Sequence, residues 1–312
     1  MQPPGASRVL GPAWFEEALA APCAEGAVTC DGARIHYLHW GTRGHPGLIL
    51  VHGGAAHAHW WSFLAPLLTS HYDVVALDLS GHGDSGRRES YPRETWAAEV
   101  MAVSDAMGFP GPPVIIGHSL GGLVAILVAS LYGTRLAGAI IVDSPVHKPS
   151  PETDAARSGF TFHPLKVYPT EDAALARFKL VPPQPCDNPF IIDYIARESL
   201  HMVESGFSWK FDPNIFTSIN TDQMSDHLAQ VKCRVALLRG EFSTVVPRET
   251  SDYMVELLDR AAPLVEIPQA HHHLILDQPL AFIAAARALL ADWEHSTPHR
   301  RPQHDASSHS GR

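Results

Sequence analysis

The amino-acid sequence predicts an α/β domain: a mostly parallel sheet with helices on both faces and a helical insertion at one sheet edge. Three observations carry this expectation. Short apolar, β-branched runs alternate with longer helical stretches over most of the 312 residues, the pattern of strands buried on both faces. One such run, Val114-Ile115-Ile116, ends abruptly in Gly117-His118-Ser119-Leu120-Gly121-Gly122, and an apolar helical run to Leu131 follows at once. The rhythm then breaks between Val146 and Ser225, where prolines including Pro149, Pro151, Pro164, Pro182, Pro183 and Pro185 interrupt it.

In chain order, Ala27 to Cys30 and Arg34 to Trp40 flank Asp31-Gly32, a hairpin signal. Leu48 to Val51 is a buried strand that runs into His52-Gly53-Gly54-Ala55-Ala56. Residues His59 to Leu68 are expected as an amphipathic helix, with Trp60, Phe63, Leu64 and Leu67 on one side. Asp73 to Leu77 is the next strand and ends in the glycine-rich loop Asp78 to Gly86. A helix over Arg93 to Met107 precedes the Val114 strand, and Leu136 to Val142 is a strand closing in Asp143-Ser144-Pro145. Strands resume at Val235 to Leu238 and Leu264 to Ile267, with helices near Arg248 to Asp259 and Leu280 to Trp293.

These elements divide the chain into an N-terminal extension (1–26), a core in two pieces (27–145 and 226–294), a lid insertion (146–225) and a His-rich tail (295–312) expected to be disordered. The insertion offers helices at Glu171 to Phe178 and Phe190 to Val203 and no buried-strand pattern. It is rich in aromatics, among them Phe160, Phe162, Phe178, Trp209 and Phe211. Unable to build a core of its own, it is expected to lean on the carboxyl edge of the sheet, where ligands bind in open α/β folds.

Composition narrows the function. A net charge of −10 argues against a nucleic-acid groove or an anionic membrane surface. No apolar stretch approaches the ~20 residues needed to span a bilayer, and the Pro- and Ala-rich start is a poor signal peptide. Four scattered cysteines, Cys23, Cys30, Cys186 and Cys233, form neither a disulfide framework nor a zinc knuckle. The expectation is a cytoplasmic protein with reduced thiols.

A strand–turn–helix with serine at its tip is the layout of a nucleophile elbow, and Gly117 and Gly121 supply the small residues that closely passing backbones require. A serine hydroxyl needs a base. His271, His272 and His273 follow the last strand, and chemistry alone does not choose among them. A third group must hold the imidazole from another strand end. Asp143, Glu241 and Asp277 qualify by position, although Asp143 could equally cap the turn at Ser144-Pro145.

Over Ala27 to Trp293 the chain resembles the α/β-hydrolase superfamily. The resemblance rests on His52-Gly53-Gly54 after the third strand, Asp78-x-x-Gly81-His82-Gly83-x-Ser85 after the fourth, the elbow, and a late histidine before Asp277-Gln278-Pro279. The family's proline seven residues after its histidine selects His272, while His271 stands where glycine is usual. Most members place the triad aspartate after the seventh strand, where this chain has Gly240-Glu241-Phe242-Ser243 with serine at that point. Some esterases of the superfamily put the acid after the sixth strand, and there this chain has Asp143. The resemblance therefore implies a triad of Ser119, His272 and Asp143. It also implies an oxyanion hole from the backbone N–H groups of Leu120 and Gly54, with Ala55 the near alternative. His52 and His82 are expected to shape their loops. His57, Trp60, His118 and Trp209 are the pocket candidates.

What the resemblance implies is a serine carboxylesterase needing no metal or organic cofactor, and the aromatic lid and apolar loop point to hydrophobic or aromatic small-molecule esters. Carbon–carbon bond hydrolases, lactonases, amidases and cofactor-free haloperoxidases use the same triad, and a non-catalytic small-ligand binder uses the same fold. Epoxide hydrolases and haloalkane dehalogenases are disfavoured, because their nucleophile is an aspartate.

Overall fold

The computed structural model describes residues 8–148, 165–217 and 223–295. Helix α1 (Ala13–Leu19) leads into a hairpin of β1 (Ala24–Cys30) and β2 (Ala33–Trp40), turning at Asp31-Gly32 with positive φ at both residues. Strands β3 (Gly47–Val51) and β4 (Asp73–Leu77) follow, then helix α2 (Arg93–Met107), β5 (Val114–His118), helix α3 (Leu120–Leu131) and β6 (Gly138–Val142). The insertion contributes α4 (Glu171–Leu175), α5 (Pro189–Glu198), β7 (Leu200–Val203) and β8 (Gly206–Trp209). The chain closes with α6 (Met224–Ala229), β9 (Arg234–Gly240), α7 (Arg248–Leu257), β10 (Leu264–Ile267), α8 (Leu274–Asp277) and α9 (Pro279–His295).

Eight strands form one sheet in the order β1-β2-β4-β3-β5-β6-β9-β10. β2 is antiparallel to both β1 and β4, and every pairing from β4 to β10 is parallel. Each residue of β3, β4, β5 and β6 is buried. Successive strand side chains point to opposite faces, so Ile49 and Val51 join one apolar core with α2 and α3. Leu48 and Leu50 join another with α1, α8 and α9. From β3 the chain moves outward to β4 and then returns to β5 on the other side of β3. The loops leaving β3 and β5 thus diverge at adjacent carboxyl ends, where an open α/β sheet presents its ligand crevice.

Three expectations differ from the fold. The stretch His59 to Leu68 is two 3₁₀ turns, Ala58–Trp61 and Ala65–Leu68, rather than one helix. Pro66 lacks an N–H and disfavours helical backbone at the residue before it. Trp60, Trp61, Phe63, Leu64 and Ala65 are all buried, so the segment has no solvent face to keep amphipathic.

The second helix candidate of the insertion stops at Glu198, and Leu200 onward pairs as the hairpin β7–β8. Its partners are local, with a further bridge from Phe207 to Tyr168, and its strands are only partly buried. No apolar alternation therefore marked it.

The extension is not merely an appendage. Phe15 is fully buried against Phe63 and Phe190, and β1 already starts at Ala24. Phe160, Phe162, Pro149, Pro151, Pro164 and the tail beyond His295 lie outside the described residues. No helix among the described residues is long and apolar enough to cross a membrane.

The insertion is tied to the core on two sides. The Gly83 N–H donates to the Lys210 carbonyl and the Asp212 N–H to the Gly81 carbonyl, both at 2.7 Å. On the other side, Gln184 donates to the Asp277 carboxylate and accepts from the His273 N–H, and Asn188 donates to the Leu276 carbonyl.

Candidate active site

Ser119 stands between β5 and α3 with φ 54° and ψ −118°, a conformation that costs a non-glycine residue about 1–3 kcal/mol. Neighbouring backbone holds it there. Its N–H donates to the Val142 carbonyl at 2.9 Å, and its carbonyl accepts from the Gly122 N–H at 2.9 Å. A β-carbon on Gly117 would lie 2.1 Å from the Gly121 carbonyl oxygen, and one on Gly121 would lie 2.3 Å from that of Val51. The two elbow glycines are thus required by close approach.

The histidine arrives on the loop between β10 and α8. His272 Nε2 lies 2.9 Å from Ser119 Oγ, and His272 Nδ1 lies 2.8 Å from Asp143 Oδ2. Asp143 follows directly on β6, the strand next to β5. The ionised carboxylate only accepts, so the imidazole proton sits on Nδ1, and Nε2 is left to accept from the serine hydroxyl. Asp143 is buried and fully satisfied: Oδ1 accepts from the Gly240 N–H at 3.0 Å, and Oδ2 also accepts from Ser243 Oγ at 2.5 Å.

Ser243 is the residue that sequence reasoning saw only as a missing acid. It fills the usual acid position and donates its hydroxyl proton to the acid that has moved. Its Oγ in turn accepts from the Val246 N–H at 3.1 Å.

The other acids and histidines are engaged elsewhere. Glu241 accepts from the Gln269 N–H. Asp277 accepts from the His271 N–H and from Gln184, bracing the histidine loop. His273 Nε2–H donates to the Pro182 carbonyl at 3.2 Å. Burial, with His272 beside it, pushes the His273 imidazole down to about 3.

His52 and His82 shape loops, as their motifs suggested. His52 Nε2 accepts from the Leu79 N–H, so its Nδ1–H donates to the Gly53 carbonyl, and His82 Nδ1–H donates to the Ser80 carbonyl. Burial lowers His52 and takes His82 to about 3. Asp78 accepts from the Ala58 and Asp84 N–H groups and from His36. Burial opposes its charge, yet the His36 bond and the nearby imidazoles hold its carboxyl well below the usual range.

Gly54 leaves β3 beside the elbow. A β-carbon there would lie 3.9 Å from Leu120 Cδ2, and one on Gly53 would lie 3.3 Å from Ser119 Cβ. Ala55 takes a positive φ of 56°, which turns this loop sharply. The two expected oxyanion donors therefore come from adjacent loops beside Ser119. Gly54 and Ala55 also open a cavity of about 160 Å³ that His57, Trp60 and Trp209 help to line.

His118, the fourth pocket candidate, is not among those lining residues. It is buried, its Nε2–H donates to the His272 carbonyl at 3.0 Å, and its ring stacks on Trp60. It supports the histidine loop from beneath. Burial, then the charges of His272 and His273, drive its pKa well below normal.

Two clusters bring three metal-type ligand atoms within 4.8 Å of one another: His118, His272 and His273, and His36, Asp78 and Asp84. In the first, His118 and His273 bond backbone carbonyls and His272 bonds Ser119 and Asp143; in the second, His36 bonds Asp78 and the Asp84 carboxylate accepts from Lys210.

Comparison with known proteins places this geometry in context. The family model described as "Alpha/beta hydrolase family" matches residues 48–286. Mouse epoxide hydrolase 4 is 35% identical over 118 residues, a match that covers 37% of this chain and only 33% of that protein. A zebrafish (Danio rerio) serine hydrolase-like protein is 31% identical over 268 residues, 78% of this chain and 80% of its own. The solved structure of E-2-(acetamidomethylene)succinate hydrolase superposes with a TM-score of 0.73 at 19% identity, covering 86% of this chain and 100% of that one. At that identity the likeness is one of fold.

Proposed function

The chain belongs to the alpha/beta hydrolase family, and we propose that within it the chain is a serine hydrolase that cleaves carboxylic esters of small molecules through an acyl-enzyme. The observation that carries this reading is the unbroken hydrogen-bonded line Ser119 Oγ, His272, Asp143, at 2.9 and 2.8 Å.

In the first half-reaction Ser119 Oγ attacks the ester carbonyl carbon while its proton passes to His272 Nε2. Asp143 keeps the ring oriented and stabilises the imidazolium. The oxyanion that forms is held by the backbone N–H groups of Leu120 and Gly54, and losing one such donor costs about 3 kcal/mol. The C–O bond then breaks, and the leaving alkoxide takes the proton from His272. In the second half-reaction water attacks the acyl carbon, its proton passes to His272 and on to Ser119, and the carboxylic acid departs. The aromatic walls at Trp60, Phe178, Trp209 and Phe211 suit an apolar segment of the substrate.

Epoxide opening is not proposed despite the mouse relative. Ser119 stands at the elbow, and a serine attacks acyl carbon, whereas epoxide hydrolases use an aspartate there.

A fluorophosphonate probe tests the reading. Labelling of the wild-type chain that disappears in Ser119→Ala, together with turnover of aryl or alkyl esters, is expected. Absence of labelling in the folded wild type would sink it and favour a ligand-binding module.

A further inference from the structure

We propose that the lid gives this site an anion subsite, so that the preferred substrate carries a carboxylate several bonds from its scissile carbonyl. This deepens the hydrolase reading above and rests on it. The cavity that opens at Gly54 and Ala55 is walled by aromatics, but three of its lining residues are cations: Arg177, Lys179 and Lys210. Among the described residues, no carboxylate lines it.

Three other surface clefts among the described residues mix the two signs. One combines Arg8 and Arg197 with Glu25 and Glu198, a second Arg87 with Glu204 and Asp212, and a third Arg87 and Arg88 with Asp31 and Glu89. In a chain of net charge −10, a cleft at the Gly54–Ala55 loop whose charged lining residues are all cations is a local reversal of sign. Such a reversal attracts and orients an anion.

The backbone that carries the cations is tied down. The Lys210 N–H donates to the Ser199 carbonyl at 2.8 Å, and the Lys210 carbonyl accepts from Gly83. Its ammonium bonds Asp84, which is not a lining residue of the cavity and partly neutralises the lysine. Arg177 and Lys179 have no side-chain ion pair among the described residues, so their charge is uncommitted. The segment they occupy is fixed at one end by the Arg177 N–H donating to the Ala174 carbonyl. At the other end His273, next to His272, donates to Pro182. The rim is thus attached to the loop that carries the base. A substrate whose apolar body lies against Trp60, Phe178 and Trp209 would place a terminal carboxylate at Arg177 and Lys179, where charge-assisted hydrogen bonds form.

The test compares matched esters. An aryl monoester of glutaric acid is set against the aryl pentanoate, and 4-acetoxybenzoate against its methyl ester, so the carboxylate is tried on the acyl and the alcohol side. In at least one pair the anionic member is expected to have a kcat/KM about tenfold higher at low salt, and the ratio should shrink as ionic strength rises. In Arg177→Glu/Lys179→Glu the ratio should fall by about fivefold or more, the scale of two exposed ion pairs. A ratio at or below one in both pairs, or a ratio unmoved by the double substitution, overturns the subsite. Fluorophosphonate labelling of Ser119 separates the two readings. A chain that labels and turns over neutral esters without preferring anions has lost only the subsite, and a folded chain that never labels has lost both.

Discussion

Ser243 Oγ donates a 2.5 Å hydrogen bond to Asp143 Oδ2, the same oxygen that accepts from His272 Nδ1. Ser243 follows β9 and Asp143 follows β6, and these strands are neighbours in the sheet. The two possible homes of the acid are therefore one hydrogen bond apart. The serine acts on the reaction only through the aspartate, as a positioning residue.

Ser243→Ala should lower kcat about tenfold with little change in KM, the value of one hydrogen bond to a buried charge. Ser243→Thr, which keeps the hydroxyl, should restore most of the rate. A loss in the alanine variant that the threonine variant does not repair would show that only packing was disturbed.

Asp143→Asn should cut kcat by about 10⁴, because an amide favours the wrong imidazole tautomer. Adding Ser243→Asp should return part of that rate, since a carboxylate there lies within reach of His272 from the neighbouring strand. If Glu241→Gln alone abolishes turnover while Asp143→Asn does not, the acid has been misassigned. Kinetics on an aryl ester decide both points.

The elbow predicts its own intolerance. Gly121→Ala would put a β-carbon 2.3 Å from the Val51 carbonyl oxygen, a backbone clash that no side-chain rotation relieves. Thermal melting should show a loss of at least about 3 kcal/mol, the upper range for overpacking. A variant melting like the wild type would mean that the turn can open.

Stability should fall on mild acidification. Burial depresses His52, His57 and His118 and holds His82 and His273 at about 3. The unfolded chain takes up these protons near pH 6.5 and the folded chain does not, so each group costs about 1 kcal/mol per pH unit once the pH drops below about 6.5. That stability is full above this value and is lost as the pH falls towards each group's folded value, about 3 for His82 and His273. His36 has the opposite sign: burial lowers it, but Asp78 raises it on balance, so its contribution is present below about pH 6.5 and fades as the pH rises through its folded value. The depressed groups outnumber it. Urea midpoints should therefore decline from pH 7.5 to 5, and less steeply in His82→Gln. Midpoints that rise over this interval would contradict the account.

Asp78 ties three segments together through His36 in β2, Ala58 at the start of a 3₁₀ turn and Asp84 in the glycine-rich loop. Asp78→Asn keeps the shape but removes the buried carboxylate that His36 hydrogen-bonds, leaving only the exposed Glu25 at 3.7 Å, so a loss of about 3 kcal/mol is expected. Parallel melts of Asp78→Asn and of the exposed control Asp105→Asn would check it. Equal melting of the two would remove Asp78 from this role.

Much of the molecule was legible in the chain. The strands β3 to β6 announce themselves because a strand buried on both faces is apolar along nearly all its length, with polar residues only at the ends, as Asp73 and His118 are. The elbow does so because backbones pass too close for a β-carbon two residues before and two residues after the strained serine, at Gly117 and Gly121. From these follow the sheet, the crevice and the nucleophile at Ser119. Family register then pointed to His272, although three adjacent histidines differ only in where a loop aims them.

What the tertiary structure alone decided depends on contacts between distant residues. The hairpin β7–β8 pairs locally and buries little, so it carries no apolar alternation. The stretch after His57 yields to Pro66 and to burial on all sides. His118 turns under the histidine loop rather than into the cavity. Above all, an absent acid at position 243 read as a loss, and only the pairing of β6 with β9 reveals that Ser243 holds Asp143 in place. A local sequence pattern records what each residue must avoid, namely water, strain or an unpaired charge. Which distant partner meets that need is settled only when the strands lie side by side.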